Sequence, residues 1–285
     1  MKHYIKLMRP HHYIKNILVF AALACSGQLF DLSKLIPGCL GFAAFCLVSS
    51  VVYIINDIRD VEKDRNHPTK CRRPIAAGTV SVKNAWILAA VLALMAMLCN
   101  GLVFHGWASG LLALYLALNL AYSFGLKNIP IVDITILVAG FLIRILYGAF
   151  VTEIVISNWL YLTVIALAFY FSLGKRRNEL KQHGDSQTRK VLKAYPMDFL
   201  DKSMNMCLTL AIVFYSLWSM ADSTIAAYGQ YLVFTVPIVL LIVMKYSLNI
   251  EGESDGDPVE VLIHDKVLLA LCLAYFCAMF SILYL

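Results

Sequence analysis

The chain alternates long apolar runs with short polar connections from one end to the other. Each run has about the 20 residues that a helix needs to cross the hydrocarbon core of a bilayer. Glycine and proline inside the runs, such as Gly140 and Pro237, are tolerated in membrane helices. The runs cover about residues 16–31, 37–58, 84–101, 105–125, 131–151, 157–174, 203–221, 228–246 and 267–285. The pattern predicts an all-α membrane protein with nine transmembrane helices in a single integral-membrane domain, residues 1–285.

The composition agrees with a chain that lies in lipid. Of its 285 residues 60% are hydrophobic and 15% charged, with a mean hydropathy of +0.73. Soluble domains are about 45–50% apolar and about 25% charged. The formal charge of +6 sits in short loops between apolar runs, so nucleic acid is not expected as a partner. The eight cysteines form no CxxC pair, which argues against a zinc site or a disulfide framework.

The basic residues predict how the chain is oriented. All Lys and Arg residues except Lys34 and Arg144 lie in the N-terminal segment, in alternate connections or at the adjoining helix ends. Cytoplasmic loops carry the excess of Lys and Arg in membrane proteins. We therefore expect the N-terminus inside, the C-terminus outside, and cytoplasmic loops at about 59–83, 126–130, 175–202 and 247–266.

The inner end of the second run carries an aspartate cluster. Asp57, Asp60 and Asp64 are spaced so that a continuing helix would place all three on one face. Carboxylates are unfavourable there, because they repel one another and meet the negative end of the helix dipole. A hard cation with a phosphate ligand would relieve both effects, and Mg²⁺ is held by carboxylates together with substrate phosphates. The alternative is an acidic helix end exposed to water.

Two basic clusters also fall in predicted cytoplasmic connections. Arginine presents a fork of donors that suits phosphate, so these residues are candidates for phosphate contacts. They would serve equally well as topology signals or as a patch for lipid headgroups. The clusters are Lys70, Arg72 and Arg73 after the aspartates, and Lys175, Arg176 and Arg177 at the end of the sixth run.

The fifth run contains two ionisable residues, Asp133 and Arg144. Eleven residues are about three helical turns, so the two share a face about 16 Å apart along the axis. Charges within membrane helices are rare and by default indicate a functional site. Asp133 would be a second carboxylate pole, and Arg144 would meet an anionic headgroup or an outer loop. A structural ion pair with another helix is the alternative.

The pattern Asn56-Asp57-x-x-Asp60-x-x-x-Asp64 in such an apolar chain resembles the first aspartate motif of the UbiA-type membrane prenyltransferases. The resemblance implies a nine-helix bundle around a central cavity, with Mg²⁺ and a diphosphate held between two aspartate motifs under cytoplasmic loops. The chain departs from the pattern at the second motif. An aspartate is expected four residues after Asp133, and position 137 is leucine.

A narrower resemblance, to decaprenyl-phosphate phosphoribosyltransferases, accounts for that departure. It implies transfer of 5-phosphoribose from phosphoribosyl diphosphate (PRPP) to a polyprenyl phosphate with release of diphosphate. It also implies a bacterial inner membrane location with the active site facing the cytoplasm, and it permits a homo-oligomer. The similar stretches are Arg9–Asn16, Asp60–Lys70, Arg73–Gly78, Leu173–Arg177 and Asp257–Glu260.

The resemblance assigns roles to individual residues of this chain. The catalytic candidates are Asp57, Asp60, Asp64 and Asp133, and the first three would hold Mg²⁺. The candidates for substrate binding are Lys15, Asn16, Asn56, Arg65, Lys70, Arg72, Arg73, Tyr122, Lys127, Arg144, Lys175, Arg176 and Arg177.

Two other functions remain open from the sequence. One is transfer of a prenyl group from a prenyl diphosphate to an aromatic or glycerol-phosphate acceptor. The other is transport, since Asp133 and Arg144 would also suit an ion pathway. No inverted repeat of the kind common in transporters is evident in the sequence.

Overall fold

The computed structural model describes residues 2–103, 106–183, 190–251, 261–262 and 264–285, which contain helices and no strand. The α-helices are α1 (Lys2–Met8), α2 (Ala21–Cys25), α3 (Leu32–Arg59), α4 (Val61–Arg65), α5 (Val82–Leu102), α6 (Gly106–Phe124), α7 (Val132–Thr152), α8 (Asn158–His183), α9 (Met197–Met220), α10 (Asp222–Tyr228), α11 (Val236–Glu251) and α12 (Lys266–Tyr284). Segments of 3₁₀ helix cover Pro10–Phe20, Lys70–Arg72, Leu126–Asn128, Lys190–Ala194 and Gln230–Thr235.

Seven helices in the described part of the chain are long and apolar enough to cross a membrane. They are α3, α5, α6, α7, α9, the continuous stretch Gln230–Glu251 and α12. The run predicted at 157–174 is the first part of α8, whose later turns carry the charges of Lys175–Lys181. The all-α membrane class is thus confirmed, whereas nine crossings and the orientation stay predictions.

The first apolar run differs from the single helix expected at 16–31. It forms the 3₁₀ segment Pro10–Phe20 followed by the short α2. Polar side chains explain its placement, because Tyr13 hydrogen-bonds the Ser50 hydroxyl at 2.7 Å and Asn16 Nδ2 donates to Ser49 Oγ at 3.3 Å. These bonds attach the segment to the side of α3.

The chain divides into two compact units, the first comprising Met1–Gly125 and Ile143–Val155. In this unit α3 packs against α5, α6 and the 3₁₀ segment Pro10–Phe20. Phe45 lies fully buried in its core, with its ring centroid 4.6 Å from that of Tyr115 and 5.6 Å from that of Tyr147. Nearer the end of α3, Val51 and Ile54 pack with Ile75 in another buried cluster, which holds the turns that carry Asp57.

The second unit comprises Leu126–Leu142 and Ile156–Leu285. Here α8 packs along α9, and α11 packs against α9 and α12. Its core includes Ile134 of α7, Tyr170 of α8, Leu200 of α9 and Ile250 of α11, all buried. Leu173 and the partly buried Leu180 of α8 pack in the same core, so the start of α7 and the last turns of α8 are held together.

Candidate active site

The aspartates at the end of α3 lie where the helix gives way to a short turn. α3 ends at Arg59, and Asp60 joins it to α4. The Asp60 N–H still donates to Asn56 O at 2.9 Å, and the Asp64 N–H donates to Asp60 O at 2.8 Å. The turn therefore nearly continues the helix, and it brings Asp57 and Asp64 to the same basic side chain.

That side chain is Arg73, which connects the two aspartates. Its Nη1 lies 3.2 Å from Asp57 Oδ1 and 2.7 Å from Asp64 Oδ2. Asp57 is only 2% exposed and Asp64 4%, so two carboxylates are largely removed from water. Such burial is costly unless the charges are paired. Arg73 supplies part of the compensation.

The second oxygens of these carboxylates are available to a ligand. Within the described residues, Asp57 Oδ2 and Asp64 Oδ1 accept no hydrogen bond, and neither is sealed from solvent. Mg²⁺ is typically held by one or two carboxylates together with substrate phosphates. The pair therefore fits Mg²⁺ through these two oxygens. Asp60 is half-buried, and in the described chain no three acidic, histidine or cysteine side chains form a metal cluster, so Asp60 does not join Asp57 and Asp64 in one.

A second arginine on Asp57 was missed by sequence reasoning. Arg9 Nη2 donates to Asp57 Oδ1 at 2.5 Å, and its guanidinium carbon lies 5.2 Å from the centre of the Tyr53 ring. Arg9 has a left-handed backbone with φ of 56°. A non-glycine residue rarely adopts this conformation, and where it does the position is often functional. The only sequence signal was its place in the stretch Arg9–Asn16.

Asp133 lies in a closed polar network of the second unit. It is 0% exposed, and Arg176 Nε donates to its Oδ2 at 2.8 Å. The Tyr195 hydroxyl donates to its Oδ1 at 2.6 Å and accepts the Ile131 N–H at 2.5 Å. Burial, followed by the hydrogen bond to Asp133, raises the pKa of Tyr195 to about 12, so this hydroxyl keeps its proton at neutral pH. Tyr195 is the second residue missed from the sequence.

Comparison with known proteins decides the family. A model of the UbiA prenyltransferase family matches residues 17–262. The chain is a member of the UbiA prenyltransferase family. It is accordingly a transferase enzyme, and its apolar helices are those of a multi-pass membrane protein.

Relatives within the family agree over nearly the whole chain. The decaprenyl-phosphate phosphoribosyltransferase of Corynebacterium glutamicum is 34% identical over 286 residues, which cover 98% of this chain and 86% of that protein. The enzyme of the same name from Mycolicibacterium smegmatis is 37% identical, covering 95% and 89%. A UbiA homolog from Archaeoglobus fulgidus, solved with GPP and Mg²⁺, has a TM-score of 0.70 at 16% identity and covers 99% of both chains. At that identity the structural similarity shows that the two chains share a fold.

Further predicted residues of this UbiA-family chain occupy a deeper site in the first unit. Arg144 Nε donates to Asn16 Oδ1 at 2.8 Å, and Arg144 Nη2 donates to the Tyr115 hydroxyl at 3.0 Å. The guanidinium also lies over the rings of Phe45 and Tyr115, at 5.1 and 5.0 Å. Asn16, Tyr115 and Arg144 thus share one hydrogen-bonded group. Asn56, one residue before Asp57, accepts a hydrogen bond from the Ser123 hydroxyl of α6.

The remaining predicted basic residues are spread over both units. Arg65 pairs with Glu62 at 2.7 Å on the exposed side of α4. Arg177 forms ion pairs with Asp201 and Glu251, so it is engaged within its own unit. Lys70 and Arg72 are exposed, whereas Lys15, Tyr122, Lys127 and Lys175 are half-buried. The stretch Asp257–Glu260, used in the narrower resemblance, lies outside the described residues.

Proposed function

We propose that this enzyme transfers 5-phosphoribose from PRPP to a polyprenyl phosphate, in a reaction that requires Mg²⁺. The observation that carries the proposal is the pair Asp57 and Asp64, each with one oxygen held by Arg73 and one oxygen open. The identity with decaprenyl-phosphate phosphoribosyltransferases at 34% and 37% supports this choice of substrates.

The chemistry needs few groups from the protein. The bond between ribose C1 and the diphosphate oxygen breaks, and its electron pair leaves with diphosphate. A bond from C1 to an oxygen of the acceptor phosphate forms on the opposite face, so the anomeric centre is inverted. The acceptor is already an anion, and no general base is required. Nearby carboxylates stabilise the positive charge that develops on the sugar.

The residues of the first unit divide this work. Asp57 and Asp64 would hold Mg²⁺, with Asp60 as the third candidate ligand, and the bound ion would neutralise charge on the leaving diphosphate. Arg73 orients both carboxylates through its Nη1 atom. Lys70 and Arg72, exposed in the same connection, attract the phosphates of a soluble donor.

The membrane arrangement is part of the proposal. Nine crossings with the N-terminus inside would place the connection Val61–Ser81 in the cytoplasm, where PRPP is dissolved. The lipid chain of the acceptor would lie in an opening between helices toward the bilayer.

A transfer assay tests the proposal. Purified protein is incubated with radiolabelled PRPP, Mg²⁺ and a polyprenyl phosphate, with and without EDTA. Label that enters the lipid phase only when metal is present supports the reaction. Failure with PRPP together with transfer from a prenyl diphosphate to an aromatic acceptor would reject it in favour of ordinary prenyl transfer.

A further inference from the structure

The two aspartate sites differ in what they leave open. Asp57 and Asp64 each retain an oxygen that no described hydrogen-bond donor occupies. At Asp133 both oxygens accept hydrogen bonds, from Arg176 and from Tyr195, and the side chain has no exposed surface. A metal ion could reach this carboxylate only by displacing a guanidinium or a phenol from a buried position.

We infer that Asp133 is a positioning residue that acts through Tyr195 and Arg176, and that it does not hold a metal ion. The role of Asp133 in catalysis rests on the proposed function, whereas its contacts with Arg176 and Tyr195 are independent of that function. We refer to Asp133, Arg176 and Tyr195 together as the clamp. The clamp joins the first turn of α7, the last turns of α8 and the chain just before α9.

The clamp secures a strained turn. Ile131 has φ of 67°, which is unfavourable for a β-branched side chain. Its N–H donates to the Tyr195 hydroxyl, which in turn donates to Asp133. Such a backbone persists only where its surroundings hold it in place. The Tyr195 hydroxyl therefore links the backbone at the start of α7 to the Asp133 carboxylate and holds that backbone in place.

The clamp also fixes two basic turns. The turn Leu126–Asn128 packs against the turn Lys190–Ala194, and Tyr195 immediately follows the second of them. Lys127 belongs to one turn and Lys193 to the other. Loss of the clamp frees both turns to move, which would misplace these lysines without removing a ligand from the metal.

The charge of Arg176 explains why the carboxylate is needed even without a metal. Arg176 is 1% exposed and also pairs with Glu179 at 3.0 Å. Removing one member of a buried ion pair leaves the other charge uncompensated, which is strongly unfavourable. Asp133 therefore anchors Arg176 as well as Tyr195.

The first arm of the test measures metal binding without turnover. Mn²⁺ is titrated in the presence of inorganic diphosphate and followed by electron paramagnetic resonance, with Asp133→Asn and Asp57→Asn compared with the wild type. We expect Asp133→Asn to bind Mn²⁺ within about 2-fold of the wild type and Asp57→Asn to lose about 10-fold or more. Equal weakening in both variants would overturn the inference. This arm needs neither PRPP nor lipid, so it stands even if the proposed reaction is wrong.

The second arm measures the clamp itself. Limited trypsin cleavage after the exposed Lys193 reports how well its turn is held. We expect Tyr195→Phe to speed this cleavage several-fold while cleavage after Lys202, within α9, is unchanged. Unchanged cleavage at Lys193 in Tyr195→Phe argues against the clamp.

Kinetics then separate positioning from direct participation. Tyr195→Phe and Asp133→Asn should each lower kcat about 10-fold with little change in the KM of the donor. The kcat of the double variant should be no lower than that of the less active single variant, because the two residues act as one unit. A kcat close to wild type in Tyr195→Phe, with Asp133→Asn inactive, would mean that Asp133 acts directly on the reacting groups.

Discussion

Arg176 donates to Asp133 at 2.8 Å in a pair that has almost no contact with solvent. The corresponding contact at the other aspartate site, between Arg73 and Asp57, joins a buried carboxylate to an arginine that is 29% exposed. An arginine that reaches solvent can shift when a ligand arrives, whereas one enclosed in a core cannot do so at low cost. The Asp57 site can therefore exchange its arginine for a ligand, whereas the Arg176–Asp133 pair stays in place.

Asp57→Asn and Asp64→Asn are each expected to lower transfer at least about 100-fold, because each removes a charge that the metal requires. The fold should persist, since Arg9 and Arg73 both reach solvent when their partner is neutralised. Phosphoribosyl transfer by each variant measures the first effect, and its thermal midpoint in detergent checks that the fold persists. Asp198→Asn, an exposed aspartate on α9, is the control and should leave transfer unchanged. Near-normal turnover in the two site variants would remove the metal-site hypothesis.

Arg9→Gln is expected to strengthen Mn²⁺ binding about 10-fold, because Arg9 competes with a cation for the charge of Asp57. A titration of Mn²⁺ without substrate measures this directly. Arg65→Gln is a matched control, since Arg65 pairs with Glu62 on the surface of α4. Unchanged or weaker Mn²⁺ binding in Arg9→Gln would show that arginine and metal do not share the carboxylate.

Leu137→Asp restores the second motif of ordinary UbiA-type enzymes, and we expect it not to improve use of PRPP. Leu137 is one turn beyond Asp133 on α7, and Asp133 is already occupied by Arg176 and Tyr195. The kcat/KM for PRPP should stay the same or fall. Leu137→Asn controls for polarity without charge. A marked gain in Leu137→Asp alone would indicate that PRPP is the wrong donor.

The parts of the candidate active site that depend on local spacing were predictable from the sequence. Asp57 and Asp64 are seven residues apart, so helical spacing places them on one face, and Arg73, which bridges them, follows within the same connection. Arg9 and Tyr195 were not predictable in this way. They meet Asp57 and Asp133 across 48 and 62 residues, and such contacts depend on how the helices pack.

The N-terminal run shows the same limit for secondary structure. Its apolar length predicted a membrane helix at 16–31, but the length of a run does not indicate which of its polar side chains form hydrogen bonds with other helices. Tyr13 and Asn16 hydrogen-bond to α3, and the segment there is a 3₁₀ helix attached to it.

Asp265 is expected to make stability depend on pH in acid. It caps α12 by accepting the Leu268 N–H at 2.8 Å, and it pairs with Lys245 at 2.8 Å. The pairing with Lys245, and then the cap, lower the pKa of Asp265 to about 2. Since an unfolded aspartate has a pKa of about 3.9, its contribution is complete above that pH and is lost as the pH falls toward 2.

Asp265→Ser keeps a capping oxygen and removes the charge, so it isolates the effect of Lys245. Thermal midpoints measured between pH 6 and 3 should fall less steeply in Asp265→Ser than in the wild type. Asp198→Ser provides a surface control at another helix start. Identical slopes in wild type and Asp265→Ser would show that the pair with Lys245 does not affect stability.

Gly148→Ala should destabilise the first unit by about 1–3 kcal/mol, as is usual when a methyl group is forced into a packed interior. A Cβ on Gly148 would lie 1.8 Å from Val19 O, where α7 touches the 3₁₀ segment Pro10–Phe20. Backbone cannot move aside as a flexible side chain can, so the segment carrying Tyr13 and Asn16 must shift. Gly110→Ala is the matched control, because a Cβ there has no neighbour within 4 Å and alanine favours the helix by up to about 1 kcal/mol. Thermal unfolding in detergent should therefore move in opposite directions for the two variants, and a common direction would contradict the close contact at Gly148.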